Sequence, residues 1–181
     1  MMFLGNQTKN HLNKALKEKE IKTMDITFAP RGILQIDGAR MCFRNFSGEP
    51  GKYNREGDKN FALIIPDEEI ADRLIEDGWN VKVKDPRDEG DTPFMYLPVK
   101  VKFNDRGPAV YLHTGRRMNK LDEESVSCLD HIDILSADMD IRPYDWEVNG
   151  KEGRTAYLQA LHVVQDIDRF EAMYAEEESP E

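Results

Sequence analysis

From Asp25 to Val164 the chain is cut into short apolar runs by proline, glycine and asparagine, and one run has a clear helical period. That punctuation constrains the fold more than any other feature. Runs this short become stable only by pairing across a sheet, and no strand–helix alternation is present to build a parallel one. The clearest run is Phe94 to Phe103. Leu97, Val99, Val101 and Phe103 alternate with Pro98, Lys100 and Lys102, the period-2 pattern of a strand with one buried face.

The other elements follow from the same signals. Ile26–Ala29 is a short strand ended by Pro30, and Gly32 to Phe46 is extended with a turn or bulge at Asp37-Gly38. Ser47 to Asp58 is a loop, and Phe61–Ile65 is a buried strand stopped by Pro66. Asp67 as N-cap, Glu68 and Glu69 in the first turn and Gly78 at the end bracket one helix, with Ile70, Ala71, Leu74 and Ile75 as its buried stripe. Trp79–Val83 is a strand, and Ala109–Thr114 is expected to pair back on Phe94–Phe103 as a hairpin. Leu121–Leu129 is a short helix, and Asn149-Gly150 closes a hairpin between Ile132–Val148 and Arg154–Val164. About seven or eight strands with short helices predict a mainly β domain, an antiparallel sheet closed into a small barrel.

Charge divides the 181 residues into three parts. Residues 1–24 carry five Lys against two Glu and read as an N-terminal extension with a loosely held helix over 7–22. Residues 166–181 carry seven acids against Arg169 and read as an acidic tail. The domain is 25–165. With a net charge of −10 the chain is a poor general coater of duplex DNA. Within it, residues 98–120 hold Lys100, Lys102, Arg106, Arg116, Arg117 and Lys120 against Asp105 alone, a local basic stripe. No apolar run is long enough to span a membrane, and Met1–Leu4 is too short for a signal sequence. Cys42 and Cys128 form no disulfide or metal pattern, so a reducing cytoplasm is expected.

No catalytic signature is present. There is no phosphate loop or nucleophile elbow, and His11, His113, His131 and His162 are scattered outside any ligand spacing. No metal or cofactor is expected. The pattern that carries chemistry is the interleaving of aromatic and basic residues, which suits single strands whose unpaired bases stack while cations hold the backbone. Alternation puts Arg40, Cys42, Arg44 and Phe46 on one face, with Met41 and Phe43 toward the core. The following loop adds Lys52, Tyr53, Arg55 and Lys59. The expected hairpin shows Lys100, Lys102, Tyr111 and His113 on one solvent face, with Arg116 and Arg117 beyond it. Tyr144, Arg154 and Tyr157 complete the candidate set, while Trp79 and Trp146 are assigned to the core.

Six segments add a resemblance. Asp140–Trp146, Asn149-Gly150-Lys151 and Gly153–Leu161 resemble the C-terminal hairpin of phage-type single-stranded DNA-binding proteins, as do Phe43–Phe46, Lys59–Ala62 and Trp79–Lys82 for the earlier strands. The resemblance implies an OB-like antiparallel β-barrel with helical insertions. It also implies non-catalytic coating of single-stranded DNA during phage or prophage replication or recombination. An acidic tail, here with Glu176, Glu177 and Glu178, would then engage replication or recombination proteins, and a homo-oligomer is compatible with such coating. Family tails often end in an aromatic residue, whereas this one ends Ser179-Pro180-Glu181. The alternatives are a protein–protein module (an inhibitor or adaptor) on the same barrel, and a metal-dependent nuclease built on Asp138 and Asp140.

Overall fold

The computed structural model describes residues 24–168 and 170. The N-terminal extension 1–23 and the tail residues Glu176, Glu177 and Glu178 lie outside them. Ten strands are present in this range: β1 (Asp25–Phe28), β2 (Leu34–Asp37), β3 (Met41–Asn45), β4 (Lys59–Ile65), β5 (Lys82–Lys84), β6 (Phe94–Val101), β7 (Ala109–Thr114), β8 (Arg117–Leu121), β9 (Ile134–Val148) and β10 (Lys151–Gln165). Helix α1 (Glu68–Asp77) joins β4 to β5, and a 3-10 helix (Ser125–Asp130) precedes β9. The mainly β expectation holds.

The sheet order is β1-β2-β9-β10-β6-β4-β3, with β5 beside β6 and the β7–β8 hairpin beside β10. No continuous ladder joins β1 to β3. Two backbone bonds nevertheless tie the β2–β3 segment to both sides of the sheet: Ala39 N–H to the Ala137 carbonyl of β9 (2.8 Å), and Ile64 N–H of β4 to the Arg40 carbonyl (2.9 Å).

The expected all-antiparallel sheet needs correction. β10 runs parallel to β6 at Ala156↔Val99 and Tyr157↔Lys100, and parallel to β7 from Ala160↔Ala109 to Val164↔His113. The expected β6–β7 hairpin does not form. One edge of β6 is taken by β4 and the other by β5 and β10, so β7 passes on to the far half of the longer β10.

Some local signals were obeyed and others were not; the helix expected over Leu121–Leu129 is instead the end of β8 followed by the 3-10 helix. The Asp67 carboxylate accepts the Ile70 N–H at 2.8 Å, and Gly78 ends α1 at φ 104°, a left-handed conformation suited to glycine. Ala71 and Leu74 are buried, but Ile75, at the margin of the stripe, is exposed. Trp79 is buried ahead of β5 and outside it, its indole N–H donating to Asp77. Trp146, expected in the core, is exposed on the hairpin.

The largest departure lies in β3. The register slips between Cys42 and Asn45, and Phe43 takes φ 50°. A bulge of this kind re-aims side chains and inverts the alternation beyond it. Phe43 therefore points to solvent, 62% exposed, while Phe46 is fully buried and stacks on Phe61 at 5.4 Å. Both assignments from alternation are reversed: Phe46 cannot stack on a base, and Phe43 is not core.

The reversal is measurable by denaturant unfolding. Phe46→Ala should cost about 3–5 kcal/mol and Phe43→Ala less than about 1 kcal/mol. Equal costs would contradict the bulge.

Candidate nucleic-acid interface

Met95, Leu97, Val99 and Val101 of β6 face the core, so Phe94, Tyr96, Pro98 and Lys100 line its outer face. Strand register extends Lys100 into a row: Asn60 of β4, Lys100 of β6, Tyr157 of β10 and Arg142 of β9. The Arg142 guanidinium lies 4.8 Å from the Tyr157 ring centroid, and Tyr144 meets Tyr157 edge-on at 6.1 Å. Toward the start of β6, Phe94 stacks on Tyr96 at 5.5 Å. Phe43 sits edge-on to both rings, at 6.1 and 6.0 Å. The Lys84 ammonium of β5 lies 5.5 Å from the Phe43 ring and 6.0 Å from Tyr96. Aromatic rings and cations thus alternate along a track whose β6 portion, Phe94 to Lys100, is about 20 Å long. Cys42 lies on β3 close to this track; partial burial pushes its thiol above the usual range, and nearby Lys84 partly offsets this.

Two projecting segments flank the track. At the Val101 end of β6, the loop 46–58 is held by Asn54, whose amide donates to the carbonyls of Glu49, Arg55 and Asp58. Its tip carries Lys52, 5.3 Å from the ring of Tyr53, and Tyr53 is 91% exposed. At the other end the β9–β10 hairpin projects with Tyr144, Trp146 and Val148 exposed. Gly153 is required there, because a Cβ would run into the Trp146 indole across the ladder. Arg154 fastens the base of this hairpin. Its guanidinium bonds Asp145 Oδ1 at 2.6 Å and the Asp77 carbonyl at 2.7 Å, and lies over Trp79 at 5.1 Å. An open cleft of about 510 Å³ runs between hairpin and sheet, lined by Lys100, Trp146, Arg154 and Trp79.

The fold brings three of the candidates together: Lys100 and Tyr157 are register partners, and Tyr144 meets Tyr157. Arg40, Lys52, Tyr53 and Arg55 are exposed, as is Lys102 just past β6. Tyr111, Arg116 and Arg117 sit with the β7–β8 hairpin on the other half of β10, so the single Lys–Tyr face expected from a β6–β7 hairpin is divided in two. Three predicted cations do structural duty. Arg44 donates to the Leu129 and Ile132 carbonyls at 2.7 and 2.9 Å, Lys59 donates to the Phe46 carbonyl at 2.9 Å, and Arg154 is the hairpin clamp. Phe43, Lys84, Phe94, Tyr96 and Arg142 also line this track and were not among the residues singled out from the sequence. Phe94 and Tyr96 were legible, since the parity that exposes Lys100 also exposes them. Asp138 and Asp140 flank buried Met139 on β9, and among the described residues no group of three or more ligands could hold a metal.

The family model described as "Putative phage ssDNA-binding domain" matches residues 25–180. The chain belongs to this family. No curated protein matches. Among solved structures, the chain is similar to the single-stranded DNA-binding protein of bacteriophage Enc34. The C-terminally truncated form aligns with TM-score 0.50 and 16% identity over 81% of this chain and 94% of that one. The form in complex with ssDNA aligns with TM-score 0.52 and 17% identity over 82% and 95%. At this identity the likeness establishes a shared fold.

The hairpin clamp has a pH signature. The hydrogen bond from Arg154 holds the Asp145 carboxyl below its usual range, with the guanidinium charge adding to the effect. A depressed carboxylate contributes stability above its unfolded pKa, and that contribution is lost as pH falls through the lowered value. Asp145→Asn should lower Tm modestly at pH 7, and its gap from the wild type should narrow as pH falls below about 3.9. A gap that stays constant with pH in thermal melts would show that the ion pair is not what holds the hairpin.

Proposed function

We propose that this family member binds single-stranded DNA without catalysis along the outer face of β4, β6, β10 and β9. The alternation of rings and cations on that face carries the reading. Phe94, Tyr96 and Tyr157 offer stacking surfaces, Lys84, Lys100 and Arg142 meet phosphates, and the loop with Lys52, Tyr53 and Arg55 adds a flanking contact. Stacking is indifferent to base identity, so this arrangement suits coating rather than sequence readout.

The finer fold reading is an OB-like barrel with a parallel β6–β10 pair. It is supported by the β2–β3 segment, which bonds β9 through Ala39 and β4 through Arg40. In such barrels the face corresponding to β4 and β6, with its flanking loops, takes oligonucleotides. Coating during phage replication or recombination in the cytoplasm of a bacterial host, with the acidic tail engaging other replication proteins, completes the proposal.

Gel shifts with labelled oligo-dT and a blunt duplex at two salt concentrations test it. Oligo-dT should bind more tightly at about 0.15 M salt, because only unpaired bases can stack. Tyr96→Ala and Tyr157→Ala should each weaken binding about 5- to 150-fold, the equivalent of one lost stack. Lys100→Ala with Arg142→Ala should lower the salt slope by up to about 1.4. Equal affinity for duplex, or folded variants that bind like the wild type, would place the DNA elsewhere or nowhere.

A further inference from the structure

His113 and His162 lie 49 positions apart in sequence, yet His113 Nε2 faces His162 Nδ1 at 3.0 Å across the parallel β7–β10 pair. We propose that these two imidazoles form a site for a late first-row transition metal, Zn²⁺ or Ni²⁺, that links β7 to β10.

Three observations support the site. The first is convergence. Two nitrogens bound at 2.0–2.1 Å to one tetrahedral zinc lie about 3.3 Å apart. Opening the pair by about 0.3 Å and turning each ring by roughly 35° lets a metal take the place of the bridging proton, which moves to the other nitrogen of the donor ring. The second is rigidity. His162 pairs with Tyr111 in the register, and the two rings stack at 4.7 Å with 20° between their planes. His113 is held two residue pairs along the same ladder, opposite Val164. The third is the surrounding charge. Asp138 stands opposite His162 on β9, one carboxylate oxygen accepting the Gly38 N–H at 2.9 Å. The cation on the other side, Lys120, is over the Tyr111 ring at 5.9 Å, with Tyr111 between it and His162.

Imidazole nitrogens select zinc, nickel and copper over magnesium and calcium, which prefer all-oxygen sites. With two side-chain ligands the remaining positions are filled by water, which makes an exchangeable site and not a structural zinc centre. The bound ion clamps the β7–β8 hairpin onto β10. Metal bound to the folded chain alone raises its stability by mass action.

The test is calorimetric titration of the untagged full chain with NiCl2 or ZnCl2, with thermal melts alongside and MgCl2 as comparison. The wild type should show saturable binding of a single metal and a rise in Tm with nickel or zinc but not magnesium. His113→Gln and His162→Gln should each fold with nearly the wild-type Tm and lose both responses, while His131→Gln keeps them. A wild type without saturable binding would overturn the site. So would variants that bind like the wild type, loss of binding in His131→Gln, or an equal response to magnesium.

Discussion

The ladder between β9 and β10 runs from Lys151↔Val148 to Gln165↔Ile134, and much of the structure is referred to it. β9 covers one edge of β10 along nearly its whole length, leaving the other edge to be shared. Ala156 and Tyr157 take β6 in parallel, and Ala160 to Val164 take β7. A register slip between Leu158 and Ala160 separates the two halves. Tyr157 and His162 both remain on the outer side, but each meets a different neighbour. One faces Lys100 and Arg142, the other Tyr111 and His113. The candidate track and the proposed histidine site are therefore both consequences of one strand long enough to serve two partners.

A second constraint acts at the far edge. The backbone turning out of β3 just beyond the bulge would be costly if its polar groups were unmet, and Asp130 meets them. Its carboxylate accepts the Phe46 N–H at 2.7 Å, the Ser47 N–H at 3.0 Å and the Ser47 hydroxyl at 2.8 Å. Arg44 returns two bonds to the carbonyls around the same 3-10 helix. Phe46 is thereby pinned against Phe61 in the core, and Phe43 is released to join Phe94, Tyr96 and Lys84. Hydrogen bonding at one end of β3 thus assembles one end of the aromatic track.

The same economy explains how an acidic chain presents cations. Several of its carboxylates are occupied inside the fold: Asp67 caps α1, Asp122 caps the turn at Ser125, Asp130 holds the segment after β3, Asp77 accepts the Trp79 indole N–H and pairs with Arg154, and Asp145 bonds Arg154. Lys84 and Arg142, by contrast, lie over aromatic rings on the outer face. Net charge is a sum over the whole surface, whereas a bound strand would meet only the potential along its path.

Elements specified by neighbouring residues were legible in the sequence. Asp67 and Gly78 bracketed the helix, Asn149-Gly150 placed the hairpin turn, and parity along β6 identified the face with Lys100. These depend on backbone preferences and on a period of two, which local sequence encodes. Tertiary structure decided the rest. Phe43 and Phe46 exchanged places because one residue in the left-handed region inverts a strand's faces, and nothing local marks Phe43 for that conformation. β7 went to β10 because both edges of β6 were already taken, which depends on strands far away in the chain. Arg44, Lys59 and Arg154 look like solvent-facing cations in sequence and are anchors in the fold, since the carbonyls and carboxylates they bind come near only when the sheet is assembled.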